Sequence, residues 1–537
     1  MSNYDYVIVG AGSAGCLLAG RLSEDRDARV LLIEAGGKDR SPKIKIPAAF
    51  AQQFQTKLDW NYETEPEPGC NDRRLYIPRG RSLGGPAVVV GGAAADVEHR
   101  VHRARAADYD GWAAEGCEGW SWEEVLPYFK RSEHRDGAGA LEAAHSTEGT
   151  LNVADPVSPS SITELMIEAA RARDYPLDPD YNDGQPDGIC LAQTTQKNGR
   201  RWSAADAFLR PALRRPNLTV ITKAQVLGLD IAGDRVAGVR YARGRRVETA
   251  TASREVILSA GSIGSPQLLM LSGIGRGADL TPLGIDHRVE LTGVGQNLQD
   301  HPYLMGIWET SSDDSLLNAE KPGAMVEFLR HRSGPLSSTV GEAFLWTKYD
   351  REAAAPDLQF HLAPAYFNEH GFQTYDKHAF SIGSVLVAPR SRGEIKLRTA
   401  DAAAKPAIFG NHLTEQSDLD ALVHSVKLGR ELAATEPLAA ITGNELFPGA
   451  EISSDEALAE DIRNRVELLY HPVGTCRMGT GDDAVVDPEL RVRGIENLRV
   501  VDASVMPTIT RGNTNAPTYM IAEKAADLIR SSTAAAV

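Results

Sequence analysis

Cysteine is scarce in this chain of 537 residues. Its five cysteines (Cys16, Cys70, Cys117, Cys190 and Cys476) are an odd number, widely scattered, and form no Cys-x-x-Cys pair. That argues against a disulfide framework and supplies no zinc-ligand pattern, so no metal is expected. Long apolar runs are missing too. Nowhere do about 18 apolar residues follow one another, which excludes a spanning helix. Basic charge is in deficit, with 57 Lys+Arg against 73 Asp+Glu and a formal charge of −16. So acidic a balance argues against nucleic acid or an anionic membrane as a partner. The opening Met-Ser-Asn-Tyr-Asp shows no basic leader before strand-like sequence begins. The expected location is therefore the cytoplasm.

What remains is ordinary globular usage, 42% hydrophobic and 24% charged, in a chain long enough for two or three domains. Its N-terminus carries the first site. Tyr6-Val-Ile-Val9 reads as a buried parallel strand. Gly10-Ala-Gly12-Ser-Ala-Gly15 follows, then a helical stretch over 16–22, then a second strand over 29–33 that ends on Glu34. Gly10 permits the tight turn, Gly12 lets the backbone approach a pyrophosphate, and Gly15 lets the helix pack closely on the strand. The helix N-terminus offers free N–H groups and a positive dipole. Glu34, roughly 20 residues past the last glycine, is placed to accept hydrogen bonds from a ribose. Strand, glycines, helix, strand and acid in this order point to a dinucleotide, without choosing between NAD and FAD.

Downstream motifs choose. Glu34-Ala-Gly-Gly37, Trp60-Asn-Tyr-Glu-Thr-Glu-Pro66 and Pro78-Arg-Gly-Arg-Ser-Leu-Gly-Gly85 come first. Gly261-Ser-Ile-Gly-Ser-Pro-Gln-Leu-Leu-Met-Leu-Ser-Gly-Ile-Gly275 and Val294-Gly-Gln-Asn-Leu-Gln-Asp-His-Pro302 follow. His471-Pro-Val-Gly-Thr-Cys-Arg-Met-Gly479, Val501-Asp-Ala-Ser504 and Gly512-Asn-Thr-Asn-Ala-Pro-Thr518 complete the set. On these segments the chain resembles the glucose–methanol–choline family of FAD-dependent oxidoreductases along nearly its full length.

The resemblance implies an α/β fold: a Rossmann-like, discontinuous FAD-binding domain over 1–155, 190–300 and 460–537. A substrate domain over 156–189 and 301–459 would carry an antiparallel sheet backed by helices. Strand-like runs at 358–362, 380–387 and 393–397 and helical stretches at 416–431 and 455–466 suit that sheet. FAD is the implied cofactor. The residues implied to hold it are Gly10, Gly12, Ser13, Ala14, Gly15, Glu34, Ala35, Arg81, Gly84, Val226, Ala260, Asp502, Ala503, Asn513, Asn515 and Thr518. Asp502 ends a strand and suits a ribityl or sugar hydroxyl. The N-terminus of a helix over 518–529 suits negative charge developing on the flavin.

Oxidising an alcohol by hydride transfer to flavin N5 needs a base near neutral pKa in a dry pocket, for which histidine is the usual choice. Of 13 histidines, His471 occupies the position that holds the base in the resembled family. The family's partner position, about eleven residues before the basic residue of the last helix, falls on Asn513 counted back from Lys524. Asn515 is its neighbour and competitor, with a helix-capping role as its plainer reading. His301, in Asp-His-Pro, reads as packing between domains. Tyr470 reads as pocket wall or core. Trp60, Phe344, Trp346 and Tyr366 are further candidate aromatic walls, and Glu342 a candidate carboxylate for a cation.

The expected function is oxidation of a primary alcohol to an aldehyde, with O2 or an electron carrier as second acceptor. Choline-like oxidation and a lyase of the hydroxynitrile type without net redox are the alternatives. One segment departs from the family pattern. Where Gly-Gly-Ser-Ser-x-x-Asn is expected after Gly84-Gly85, residues 86–105 contain only Pro, Ala, Val, Gly, Asp, Glu, His and Arg. Divergence, engineering and a compensated shift of reading frame are the competing explanations of the departure, the composition being what the third would yield from a GC-rich coding strand, and each puts the flavin contacts of this loop in question.

Overall fold

The computed structural model describes residues 2–85, 104–135, 144–178, 180–183 and 188–535. The atypical stretch at 86–103 lies outside them. Two seven-stranded sheets organise the described residues.

The first sheet takes Ser2–Val9 (β1), Val30–Glu34 (β2), Leu218–Thr222 (β3), Ala224–Ala232 (β4), Arg235–Arg243 (β5), Arg246–Leu258 (β6) and Leu498–Val500 (β7). Their order is β3-β2-β1-β6-β5-β4, with β7 also paired to β6. Val7, Ile8, Leu31 and Leu32 are fully buried. Such continuous apolar runs are what a parallel strand covered on both faces requires. β3, β2, β1, β6 and β7 are indeed parallel, whereas β5 and β4 continue the sheet antiparallel. β6 is long enough to do both, pairing β5 along its first half and β7 at its end.

Three helices bear on this sheet's ligand-facing edge: Ser13–Leu22 (α1), Gly261–Leu271 (α2) and Asn515–Ala535 (α3). α1 and α3 pack together, joined by Arg21, whose guanidinium donates to both oxygens of buried Glu523 at 2.7–2.9 Å. The pair ties the chain's last helix to its first. Met520, Ile521 and Ala525 on α3 are fully buried, while Leu528 is half-buried.

The second sheet is antiparallel, in the order Thr442–Phe447, Pro302–Thr310, Ala379–Leu386, Leu358–Ala363, Ala343–Thr347, Gly188–Leu191. Helices Gln416–Ala433 and Ser161–Ala172 pack against it. Three details differ from the sequence reading. The boundary at 189/190 cuts the edge strand Gly188–Leu191, and Glu467–Leu468, placed with the cofactor segments, pairs with Pro302–Thr310 in this sheet. The expected strand at 393–397 forms a separate ribbon, Glu394–Lys396 with Ala407–Phe409. Local pattern announces a strand but not its partner. Among the described residues no helix is long and apolar enough to cross a membrane.

The turn from β1 into α1 has no room for side chains. Gly10 has φ +98°, and a Cβ there would lie 2.4 Å from the Ser259 carbonyl oxygen; a Cβ on Gly15 would lie 1.8 Å from the Gly10 carbonyl oxygen. Gly15→Ala is therefore expected to cost ~2 kcal/mol or more through forced backbone displacement. Thermal denaturation checks this. A melting temperature within about 2 °C of the parent would show that the turn can yield.

Candidate active site

A cavity of about 420 Å³ opens where the first sheet's parallel strands end. Gly10, Gly12, Ser13 and Ala14 form one wall at the start of α1. Glu34 and Ala35 follow β2, and Ala260 and Gly261 follow β6. Asp502, Ala503, Asn515 and Thr518 close it from the C-terminal segment, with Val226 and Arg81 at its sides. α1 has no side-chain cap at Gly12, so its first N–H groups and its dipole meet the cavity unscreened. Arg79, Arg81 and Lys405 add positive charge there, and the Arg81 guanidinium lies 4.5 Å from the centre of the Trp60 ring. The cavity is built for an anion.

The two acids at its rim hold the turns around it. Glu34 accepts the N–H of Ala11 (2.9 Å) and of Gly36 (2.6 Å), and burial raises its pKa. Asp502 accepts the Gly261 N–H (2.9 Å), the Ser265 hydroxyl (2.6 Å) and the Ser504 N–H (2.9 Å), and burial raises it likewise. Each carboxylate retains lone pairs for a ligand hydroxyl. The Ser259 and Ser262 hydroxyls line the cavity, buried and with no hydrogen-bond partner among the described residues. Buried polar atoms left this way call for a ligand. A glycine cradle, cationic walls and orphaned hydroxyls together fit a dinucleotide.

Beside the cavity the chain runs as an antiparallel ladder between 299–303 and 467–473. Gln299 and Val473 exchange backbone hydrogen bonds, the Leu469 N–H donates to the His301 carbonyl, and Pro302 and Tyr303 pair with Leu468 and Glu467. The ladder breaks at Tyr470, whose φ is +66°. There a side chain replaces the backbone acceptor: Asp300 Oδ1 takes the N–H of His471 and of His301, both at 2.8 Å. Arg79 Nη1 donates to the Tyr470 carbonyl (2.6 Å). His471 and His301 emerge side by side and buried, with Nδ1 to Nδ1 at 2.7 Å. Pro472, the next residue, lines the cavity. Burial pushes His301 down to about 3, so it is neutral at neutral pH. Burial also pushes Asp300 up to about 7, against the lowering effect of the two N–H donors and of Arg79. Asn513 is fully buried, and neither its amide oxygen nor its nitrogen has a partner among the described residues.

The other expected positions scatter. Gly84 donates its N–H to the Ala11 carbonyl (2.8 Å) and so supports the glycine turn from behind. Tyr470 sits in an aromatic cluster with Phe50, Phe54 and Tyr303, its hydroxyl hydrogen-bonded to His370 Nδ1. Glu342 is elsewhere and already engaged: it accepts the Ser160 N–H (2.8 Å) and the hydroxyls of Thr163 (2.7 Å) and Ser338 (2.5 Å). Trp346 is fully buried against Tyr181, Cys190 and Phe344 in a separate core. Trp60, expected as a substrate wall, lines the cofactor cavity. Sequence reasoning missed the loop 402–405, which lines the same cavity and is held by Gln225 and Gln267 donating to the Ala402 (2.7 Å) and Ala404 (2.9 Å) carbonyls. No motif marks that loop. His301, expected to pack between domains, lies buried against His471.

A nucleotide cradle at parallel strand ends, joined to an antiparallel sheet with two buried histidines at the seam, defines a dinucleotide-dependent oxidoreductase. The GMC oxidoreductase family models match residues 4–303 and 389–522. The chain belongs to the GMC oxidoreductase family. It is 39% identical to the alcohol dehydrogenase [acceptor] of Pseudomonas putida over 535 residues, covering 98% of this chain and 95% of that one. It is 41% identical to the mitochondrial choline dehydrogenase of Homo sapiens over 543 residues, covering 98% and 90%. Among solved structures it is similar to a variant of the Aspergillus oryzae RIB40 formate oxidase described for FAD modification. The TM-score is 0.93 at 26% identity, with 99% of each chain covered. FAD is the cofactor, and the cavity's walls fit it.

The raised Asp300 pKa has a stability consequence. The native state holds a proton there up to about pH 7, whereas an exposed carboxyl loses it near pH 4. Between those values the folded state binds more protons, so this group's contribution weakens as pH rises toward 7. Asp300→Asn, which keeps the accepting oxygen, should flatten the stability curve between pH 5 and 8. Denaturant melts across that range test it; equal slopes in parent and variant would show that Asp300 does not titrate there.

Proposed function

We propose that this protein oxidises a primary alcohol to an aldehyde, with His471 as general base and Asn513 as hydrogen-bonding partner of the alcohol oxygen. The observation that carries the reading is the buried His471 imidazole, held beside the cofactor cavity against a neutral histidine. FAD, when bound, supplies the hydride acceptor. His471 takes the hydroxyl proton at the ring nitrogen not turned to His301. A neutral imidazole serves as a base in a dry site without first losing a proton of its own. Among the described residues neither the donor nor the acceptor of the buried Asn513 amide has a partner, which suits an oxygen that changes from hydroxyl to carbonyl. The aromatic cluster around Tyr470 supports exclusion of water. Electrons leave afterwards to O2 or to an electron carrier.

A neutral alcohol is favoured over choline by one observation. The carboxylate expected to attract a quaternary ammonium, Glu342, does not line the cavity and is buried against Ser160, Thr163 and Ser338.

Anaerobic mixing of the flavoprotein with aliphatic and benzylic primary alcohols should bleach the flavin absorbance, which a lyase without net redox would not do. His471→Ala should slow that bleaching by about 10²–10⁴-fold with flavin retained. Asn513→Ala should cost less, about 1–3 kcal/mol. Bleaching at the parent rate in His471→Ala would overturn the base assignment.

A further inference from the structure

The His301–His471 contact holds more than packing. The two rings stand nearly perpendicular, at 89°, with centroids 4.9 Å apart, and their Nδ1 atoms lie 2.7 Å apart. That distance requires one proton between the nitrogens, carried by one ring and accepted by the other. His301 is fully buried and neutral, so it has a single N–H to place. Its Nε2, turned away from His471, is buried with no hydrogen-bond partner among the described residues, while backbone groups of Val387 and Thr510 favour a proton on the ring. With that proton on Nε2, its Nδ1 is an acceptor. The main chain enforces the arrangement, because Asp300 Oδ1 accepts the N–H of both residues at equal length.

We propose that His301 is a positioning residue that accepts the Nδ1–H of His471, fixing that ring's plane and tautomer and leaving its Nε2 as the basic nitrogen. The proposal rests on His471 being the base. The step balances simply: the alcohol O–H bond breaks, its proton joins His471 Nε2, and the resulting imidazolium keeps its Nδ1–H directed at His301. No proton passes to His301, because burial holds it neutral. A neutral acceptor orients His471 while raising its basicity less than a carboxylate would. Second partners of this kind set which nitrogen of a histidine is available, and their loss typically costs 10–100-fold in function.

The test uses the flavoprotein labelled with ¹⁵N-histidine, with the His471 ring signals assigned by their absence in His471→Gln. Ring ¹⁵N shifts distinguish protonated from bare nitrogens. The expected parent spectrum shows His471 protonated on Nδ1 and bare on Nε2; protonation on Nε2 instead overturns the proposal without any variant. His301→Leu should shift His471 toward the Nε2–H tautomer and slow anaerobic flavin reduction about 10–100-fold at unchanged flavin content. His301→Asn, whose amide oxygen reaches the same position, should recover most of the rate. A Leu variant that reduces flavin at the parent rate, or an Asn variant no faster than Leu, overturns it. If His471→Gln itself reduces flavin normally, the base assignment fails, and the ¹⁵N spectrum still decides what His301 does to the ring.

Discussion

One oxygen atom, Asp300 Oδ1, holds the seam of this molecule. It stands where an antiparallel ladder would have placed a backbone carbonyl, and it accepts two N–H groups in place of one. Below it the ladder enters the second sheet through Pro302–Leu468; above it Gln299–Val473 leads toward the cofactor cavity. The break that Asp300 repairs lets Tyr470 adopt φ +66°, a costly conformation for a non-glycine residue. Arg79 secures the carbonyl of that same residue. A ladder without the break would alternate its side chains to opposite faces. With it, His471 is turned beside His301.

The surroundings sort their charges by depth. The cofactor cavity gathers cationic side chains and uncapped N–H groups at its rim, as a pyrophosphate demands. Around the histidines, burial does the opposite: His301 is kept neutral and Asp300 holds its proton up to about pH 7. Charged forms are disfavoured where water is absent, and at Asp300 the nearby Arg79 offsets this only in part.

What could be read in the sequence is what depends on neighbours in the chain. Gly15 meets the Gly10 carbonyl five residues back in the chain, so that spacing carries the geometry. The helix Gln416–Ala433 and the strands Leu358–Ala363 and Ala379–Leu386 announce themselves by periodicity. Partners far apart in the chain leave no such trace. Glu342 looks like a free carboxylate until Ser160, Thr163 and Ser338 converge on it. Trp346 looks like a pocket wall until the sheet turns it into a core with Tyr181. The loop 402–405 joins the cavity only because Gln225 and Gln267 hold it there. Pattern tells which residues are buried; it does not tell against what.

The same division separates two kinds of segment around the histidines. The glycine turn, the Asp300 seam and the two histidines lie inside, bound to the main chain of both sheets, and a change at any of them disturbs the others. The aromatic wall is assembled differently. Phe50 and Phe54 come from short turns at 47–53, and His370 and Phe372 from another at 369–371. Phe54 meets the Tyr470 ring at 5.7 Å, edge to face, and Phe372 is largely exposed at the outer margin. Turns of this kind exchange side chains without breaking a ladder or a helix. The aromatic cluster is therefore built from segments that can change without disturbing a sheet, while the two histidines are held by main-chain hydrogen bonds that join both strands of the seam.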